Sequence, residues 1–223
     1  MNISDVPESW PVASSAEHYR GRLVAVRTDK VRMPDNHLAE REVVIHPGAV
    51  GVLALDDADR ILMIRQYRHP VGRLLWEIPA GLRDVEGEAP WVTAQRELAE
   101  EAGYRARDWR VLADYFSSPG FSTERLRVFL ARGLEPIPAA ERHFVPEDEE
   151  AYMLTEWLPL DEAVRKVFAG ELHNGVAALG IMAGYAARSD GFAALRAADA
   201  PLSLVCLHGL SGAMALPSLE GPP

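Results

Sequence analysis

Three glutamates, Glu97, Glu100 and Glu101, fall inside a stretch whose apolar residues recur with helical spacing. At about 100° per residue they stand within an arc of about 100°, opposite an apolar stripe of Trp91, Ala94, Leu98 and Ala102. Like charges three and four residues apart destabilise a helix by a few tenths of a kcal/mol per pair, so something must offset them. A hard divalent cation does so directly, since Mg²⁺ prefers carboxylate oxygens and keeps several of its waters. The competing reading is a solvated acidic face, with Arg96 and Glu100 as an ordinary i,i+4 pair. An acidic run alone does not decide between them. Its surroundings do.

A tight Pro79-Ala80-Gly81 turn closes a short strand, Leu75–Ile78, and Gly87-Glu88 lies between that turn and the helix. The helix is expected from about Pro90 to Ala102, with proline in its first turn and Gly103 in the left-handed position that stops it. Ala89 is a weak N-cap. Upstream, the apolar runs Ala49–Leu55 and Ile61–Tyr67 flank Asp56-Asp57-Ala58-Asp59 and read as a hairpin. Strands return at Trp109–Phe116, Leu126–Ala131 and Met153–Leu158. Helices follow at Asp161–Phe168, ended by Gly170, and at about Asn174–Ala187. Strands, a helix, more strands, then helices predict an α+β fold, an α/β/α sandwich with a mixed sheet, rather than a regular βαβ repeat. Three divisions are expected: residues 1–46, 47–189 and 190–223. The first holds two or three short strands, among them Leu23–Arg27 and Glu42–Ile45 on either side of Met33-Pro34-Asp35-Asn36. That is too little for a core of its own, so it is expected to pack on the main domain or on a second copy. Residues 190–223 show no periodicity and are expected as a loosely held tail.

The 223 residues divide into about 1.5 typical domains, consistent with one domain and an appendage. Twenty-three basic against 33 acidic side chains leave a formal charge of −10, which denies the chain the basic footprint that nucleic-acid binding requires. The one cysteine, Cys206, permits no internal disulfide and no multi-thiolate zinc site, which suits a reducing compartment; it is expected to be inert. Met1–Pro11 has no apolar run of the signal-peptide kind, and no stretch reaches the roughly 20 apolar residues that span a bilayer. A soluble, cytoplasmic protein with neither nucleic-acid nor membrane partners is the expectation. The seven histidines lack metal-ligand spacing, and His46, His69 and His173 read as structural.

Gly81, Glu88 and Arg96-Glu97-Leu98-Ala99-Glu100-Glu101-Ala102-Gly103-Tyr104 together resemble the signature of the Nudix hydrolases, G-x5-E-x7-R-E-U-x-E-E-x-G-U with U bulky and apolar. One departure is present: six residues, not five, separate Gly81 from Glu88. The extra residue lies in the loop before the helix and leaves the helical carboxylates in phase. A further likeness is to the ADP-ribose pyrophosphatase branch. It is carried by Pro119, about fifteen residues beyond Tyr104, by Arg41-Glu42-Val43-Val44 before Pro47-Gly48-Ala49-Val50, and by Gln66-Tyr67-Arg68 before Trp76-Glu77-Ile78-Pro79-Ala80-Gly81. The likeness covers about residues 20–188.

The resemblance implies a Nudix-type sandwich and the hydrolysis of ADP-ribose to AMP and ribose 5-phosphate. It implies Mg²⁺, with Mn²⁺ as an alternative, held by Glu97 and Glu101 with the Ala80 carbonyl and with Glu100 assisting. Arg96 is then expected to pair with a box carboxylate. A general base on a loop before the last strand falls in Pro146–Ala151, where register favours Glu150 over Glu149; the competing reading is a solvated acidic loop. Arg68 and Arg41 offer planar forks suited to phosphate or ribose oxygens, and Gly81, Pro119 and Glu42 complete the expected substrate contacts, although Arg41 and Glu42 could equally be a strand-surface pair. Trp76, Trp91, Trp109 and Trp157 are expected to pack, while Trp10 could reach a ligand. Branch members form homodimers whose N-terminal strands cross to the other subunit's cleft, a use that fits a segment too small to fold alone. The alternatives are a broader nucleoside diphosphate sugar pyrophosphatase and a ligand-sensing module. Intact box carboxylates and the lack of a basic DNA-binding segment weigh against the sensor.

Overall fold

A computed structural model describes residues 3–142 and 152–202. The chain forms two compact units. Among the described residues, the first comprises 3–48, 116–125 and Leu202; the second comprises 49–115, 126–142 and 152–201.

In the first unit, β1 (Val12–Arg20), β2 (Ala25–Arg32) and β3 (Leu38–Ile45) form an antiparallel sheet in that order. No apolar alternation announces β1, all of whose residues are exposed; cross-strand pairing with β2 alone makes it a strand. Few side chains are buried here, among them Ala25, Met33 and Ile45. Asp29 is buried too, and accepts hydrogen bonds from Ser15 Oγ and Arg27 Nε. The loop carrying Pro119 is tied to β3, because the Val44 amide donates to the Phe121 carbonyl and the Thr123 amide to that of Val44.

The second unit contains β4 (Ala49–Ala54), β5 (Arg60–Arg68), β6 (Arg73–Glu77), β7 (Ala80–Leu82), α1 (Pro90–Ala102), β8 (Tyr104–Phe116), β9 (Arg125–Pro136), β10 (Leu154–Pro159), α2 (Leu160–Phe168), α3 (Gly175–Ala187) and β11 (Arg196–Ala197). A five-stranded sheet has the order β11-β8-β9-β4-β7, with β4 parallel to β9 and antiparallel to β7. A smaller antiparallel sheet has the order β10-β5-β6. Successive side chains of a strand point to opposite faces, and β4 shows the consequence. Val50, Val52 and Ala54 pack with Ala94, Leu98 and Ala102 of α1. Leu53 and the adjoining Leu55 pack with Leu160, Ala163, Ala177 and Ile181 of α2 and α3. The mixed sheet thus lies between α1 and the α2–α3 pair, the α/β/α sandwich that the element order predicts. Each fully buried leucine, such as Leu98, stabilises the fold by about 2 kcal/mol relative to exposure.

The expected hairpin of β4 and β5 does not form. The Asp56–Asp59 turn is present, with the Asp56 carboxylate accepting the Ala58 and Arg60 amides. Beyond one bridge, Leu55 to Ile61, the two strands diverge into different sheets. A run buried on both faces, as all of β4 is, gains more from a sheet covered by helices on each side than from a two-stranded ribbon.

Order also extends past residue 189. Phe192 is buried, β11 pairs with β8, and the buried Arg127 donates to the carbonyls of Ala200 and Pro201. Arg127 also makes a bidentate pair with Asp114 at 2.6 and 2.9 Å, and Arg196 donates to the same carboxylate at 2.8 Å. Cys206 lies outside the described residues. No helix among the described residues is long and apolar enough to cross a membrane.

Candidate active site

The site begins with a turn and a helix end. After β6 the chain buries Ile78, turns at Pro79, and pairs Ala80 and Gly81 with Gly51 and Val50 of β4. Helix α1 packs over β4 and β7. Pro90 opens it with no side-chain cap from Ala89, and Gly103 closes it at φ 70°. Its buried residues are Thr93, Ala94, Leu98 and Ala102. Trp91, expected in the stripe, is half-buried, and Thr93 takes a buried place instead because its hydroxyl donates to Glu88 Oε2 at 2.7 Å.

That packing brings the helical carboxylates to the turn. The Ala80 amide donates to Glu101 Oε2 at 2.8 Å. One helical turn earlier, Glu97 lies against Gly81 so closely that a Cβ at position 81 would overlap its carboxylate. Glycine is required there for proximity rather than for an unusual φ. Arg96 spans the group: its Nη1 lies 2.7 Å from Glu97 Oε1 and 3.1 Å from Glu100 Oε2, and its Nη2 lies 3.5 Å from Glu88. Both sequence readings of Arg96 therefore meet in one arrangement, since its i,i+4 pair with Glu100 is also a pair with a box carboxylate. Burial opposes the charge on Arg96, but Glu97, Glu100 and Glu88 outweigh it and hold its pKa above the ordinary value. Burial pushes Glu97 the other way, up to about 7, reinforced by Glu100 and Asp84 and only partly countered by Arg96.

These groups surround a cavity of about 300 Å³. Its lining includes Ala80, Gly81, Arg96, Glu97, Glu100 and Glu101, together with Gln66, Arg68, Leu82 and Asp84. The carboxylate of Glu77 receives Arg68 Nε and Nη2 at 2.9 and 2.7 Å.

The other expected residues have different surroundings. Arg41 and Glu42 are exposed on β3, and Pro119 is exposed in the loop that follows β8; all three belong to the first unit, whereas every residue lining the cavity belongs to the second. Arg41 donates to the Glu40 carbonyl. Trp10 is exposed and donates to Glu8. Glu149 and Glu150 lie outside the described residues. Trp109 packs edge-on against Phe129, and Trp157 against Tyr104. The amino-acid sequence assigns no individual role to Gln66, Glu77, Asp84 or Thr93. The signal is strongest at Glu77, an acid between the apolar Trp76 and Ile78, where burial demands a partner.

The family model described as NUDIX domain matches residues 45–178. The chain belongs to the Nudix family. A Nudix relative from Mycobacterium tuberculosis, named ADP-ribose pyrophosphatase, is 48% identical over 83% of this chain and 87% of its own length. A protein of the same name from Bacillus subtilis is 36% identical over 73% of this chain and 85% of its own length. Among solved structures, one titled crystal structure of ADP compounds hydrolase superposes with a TM-score of 0.70 at 20% identity, covering 84% of this chain and 99% of its own, and so shares the fold.

Nudix hydrolases depend on divalent metals, and the residues present suit such an ion. The acidic side chains that line the cavity, Asp84, Glu97, Glu100 and Glu101, offer only oxygen as donors. Glu97 is a partly buried carboxylate with less countercharge than its surroundings require, and a cation beside it would favour its ionised form. Among the described residues no group of three Asp, Glu, His or Cys side chains is arranged as a cage able to hold a metal ion. A cage is not what Mg²⁺ uses, because one or two carboxylates, substrate phosphates and retained waters satisfy it.

Proposed function

We propose that this chain hydrolyses the pyrophosphate bond of ADP-ribose to AMP and ribose 5-phosphate with Mg²⁺ as cofactor. The observation that carries this reading is the gathering of Glu97, Glu100 and Glu101 around the Ala80–Gly81 turn in one cavity. The substrate follows from the names of the Mycobacterium tuberculosis and Bacillus subtilis relatives. Glu97, Glu101 and the Ala80 carbonyl would hold the ion, with Glu100 assisting. When bound, it supplies Lewis-acid polarisation of the phosphates and lowers the pKa of a reacting water.

The chain's own residues do the rest. Arg96 keeps the glutamates from repelling one another by neutralising part of their charge. Arg68 lines the cavity with its guanidinium oriented by Glu77, a charge suited to a pyrophosphate or ribose oxygen. Glu150, or in the adjacent register Glu149, accepts the proton of the attacking water. One water adds across the phosphoanhydride, so the oxygens of the products account for all those of the reactants. Arg41, Glu42 and Pro119 are proposed as further substrate contacts. Residues 1–46 are proposed as the dimerising segment of a homodimer, supported by the full exposure of β1 and by large apolar side chains left exposed there, including Tyr19 and Leu38.

The test is incubation with Mg²⁺, and separately Mn²⁺, against ADP-ribose, ADP-glucose, NADH and GDP-mannose, with products identified by chromatography. AMP and ribose 5-phosphate from ADP-ribose, at the highest kcat/KM of the panel, is the expected result. Comparable turnover of all four would establish the broader nucleoside diphosphate sugar pyrophosphatase. No turnover of any would remove the reading.

A further inference from the structure

The most deeply buried acid near the cavity is not one of its lining residues. Glu77 is 1% exposed at the end of β6, and both of its oxygens are taken up by Arg68, through Nε at 2.9 Å and Nη2 at 2.7 Å. Arg68 lines the cavity and Glu77 does not. A buried carboxylate is costly unless paired, and replacing it with an apolar residue of similar volume is often neutral or stabilising. A surface role for Arg68 needs no such anchor.

The cavity wall explains what the anchor does. Four carboxylates line it, those of Asp84, Glu97, Glu100 and Glu101, and Arg96 already bridges two of them. An arginine on a flexible stem beside that much negative charge is drawn into it, where it would compete with a divalent cation for the same oxygens. A bidentate fork on a carboxylate of a neighbouring strand fixes the guanidinium plane and removes most of its rotamer freedom before any ligand arrives. Arg68 and Glu77 are placed for this by the β5–β6 hairpin, in which Arg68 pairs with Arg73 and Ile64 with Glu77.

We propose that Glu77 is a positioning residue: by clamping Arg68 on the β5–β6 hairpin it holds that guanidinium at the cavity for a substrate's phosphate or ribose oxygens. This rests on the reading of the cavity as a nucleotide-sugar site. It adds to that reading a residue outside the cavity lining that acts through one of the lining arginines.

The experiment is a double-mutant cycle of Glu77→Gln and Arg68→Ala, with Arg68→Lys as a variant that keeps the charge and removes the fork. Each is assayed on whichever panel substrate the wild type turns over, and each is checked for folding by thermal melting. Glu77→Gln is expected to raise KM about tenfold with kcat within about threefold, the effect of weakening one charge-assisted hydrogen bond to the substrate. It is also expected to raise the Mg²⁺ concentration for half-maximal activity. In the Arg68→Ala background the same substitution should change neither quantity further. Arg68→Lys should raise KM while melting like wild type, and it carries the test if Glu77→Gln does not fold. Additive KM effects, a lower melting temperature with unchanged KM, or a wild-type KM in Arg68→Lys each overturn the proposal. Inactivity of the wild type on every substrate would instead remove the nucleotide-sugar reading; the proposal falls separately if the wild type is active and the cycle is additive.

Discussion

Glu101 and Glu97 reach the Ala80–Gly81 turn from successive turns of α1, and their carboxylates have different surroundings. Glu101→Gln keeps the shape and the bond from the Ala80 amide but loses the charge. Turnover should fall by more than the roughly 10- to 100-fold typical of removing a metal ligand's supporting partner, while the melting temperature is retained. Near wild-type turnover would reject the metal site. For the base, Glu150→Gln should lower kcat far more than it raises KM; that behaviour in Glu149→Gln instead would place the base one residue earlier. Glu97 predicts a pH dependence. Its pKa is raised from 4.5 to about 7, so between those values the folded protein holds a proton that the unfolded chain has released. The metal-free protein should therefore lose stability as pH rises through that window, by on the order of 3 kcal/mol, and Glu97→Gln should remove the slope. Melting in the presence of a chelator at a series of pH values measures it, and a wild-type slope no different from that of Glu97→Gln would contradict the assignment.

At the scale of elements, β8, β9 and β11 are joined by side chains as well as by ladders. Arg127, 2% exposed on β9, pairs with Asp114 of β8, which also receives Arg196 of β11. Burial raises the pKa of Asp114, but its hydrogen bonds from Arg127 and Arg196 and their charges prevail and hold it below the ordinary value. Asp114→Ala would leave Arg127 buried without its carboxylate and should cost about 3 kcal/mol or more, read from denaturant unfolding. Because the carboxylate's folded pKa is depressed, its contribution is present at neutral pH and is lost as the solution is acidified below 3.8. The gap between wild type and Asp114→Asn should narrow there. A gap independent of pH would show that the pair contributes through shape alone. The same elements show where periodicity misleads. Helix α1 and its stop at Gly103 are legible because an amphipathic stripe and a C-terminal glycine are local signals. Strand β1 is not, because an exposed ribbon has no buried face to leave a pattern. The expected β4–β5 hairpin fails because sequence adjacency and a good turn do not say which sheet a doubly buried strand joins.

For the whole molecule, a formal charge of −10 argues against nucleic acid as a partner. Sedimentation is expected to give twice the 24.5 kDa chain mass, and an active species of 24.5 kDa would rule out the proposed homodimer. From the amino-acid order alone one can read the acidic helix face, the turn that precedes it, the α+β class and the membership carried by the box, since each depends on residues close together in the chain. Arg68 is legible as a fork, but its partner is not. Only tertiary structure pairs Arg68 with Glu77, seats Glu97 on Gly81, and ties residues 196–201 to Arg127 and to β8. These depend on which strands are neighbours and which acids are buried. The cost of burying a charge is set by the surroundings that the folded chain assembles, which no window of local sequence contains.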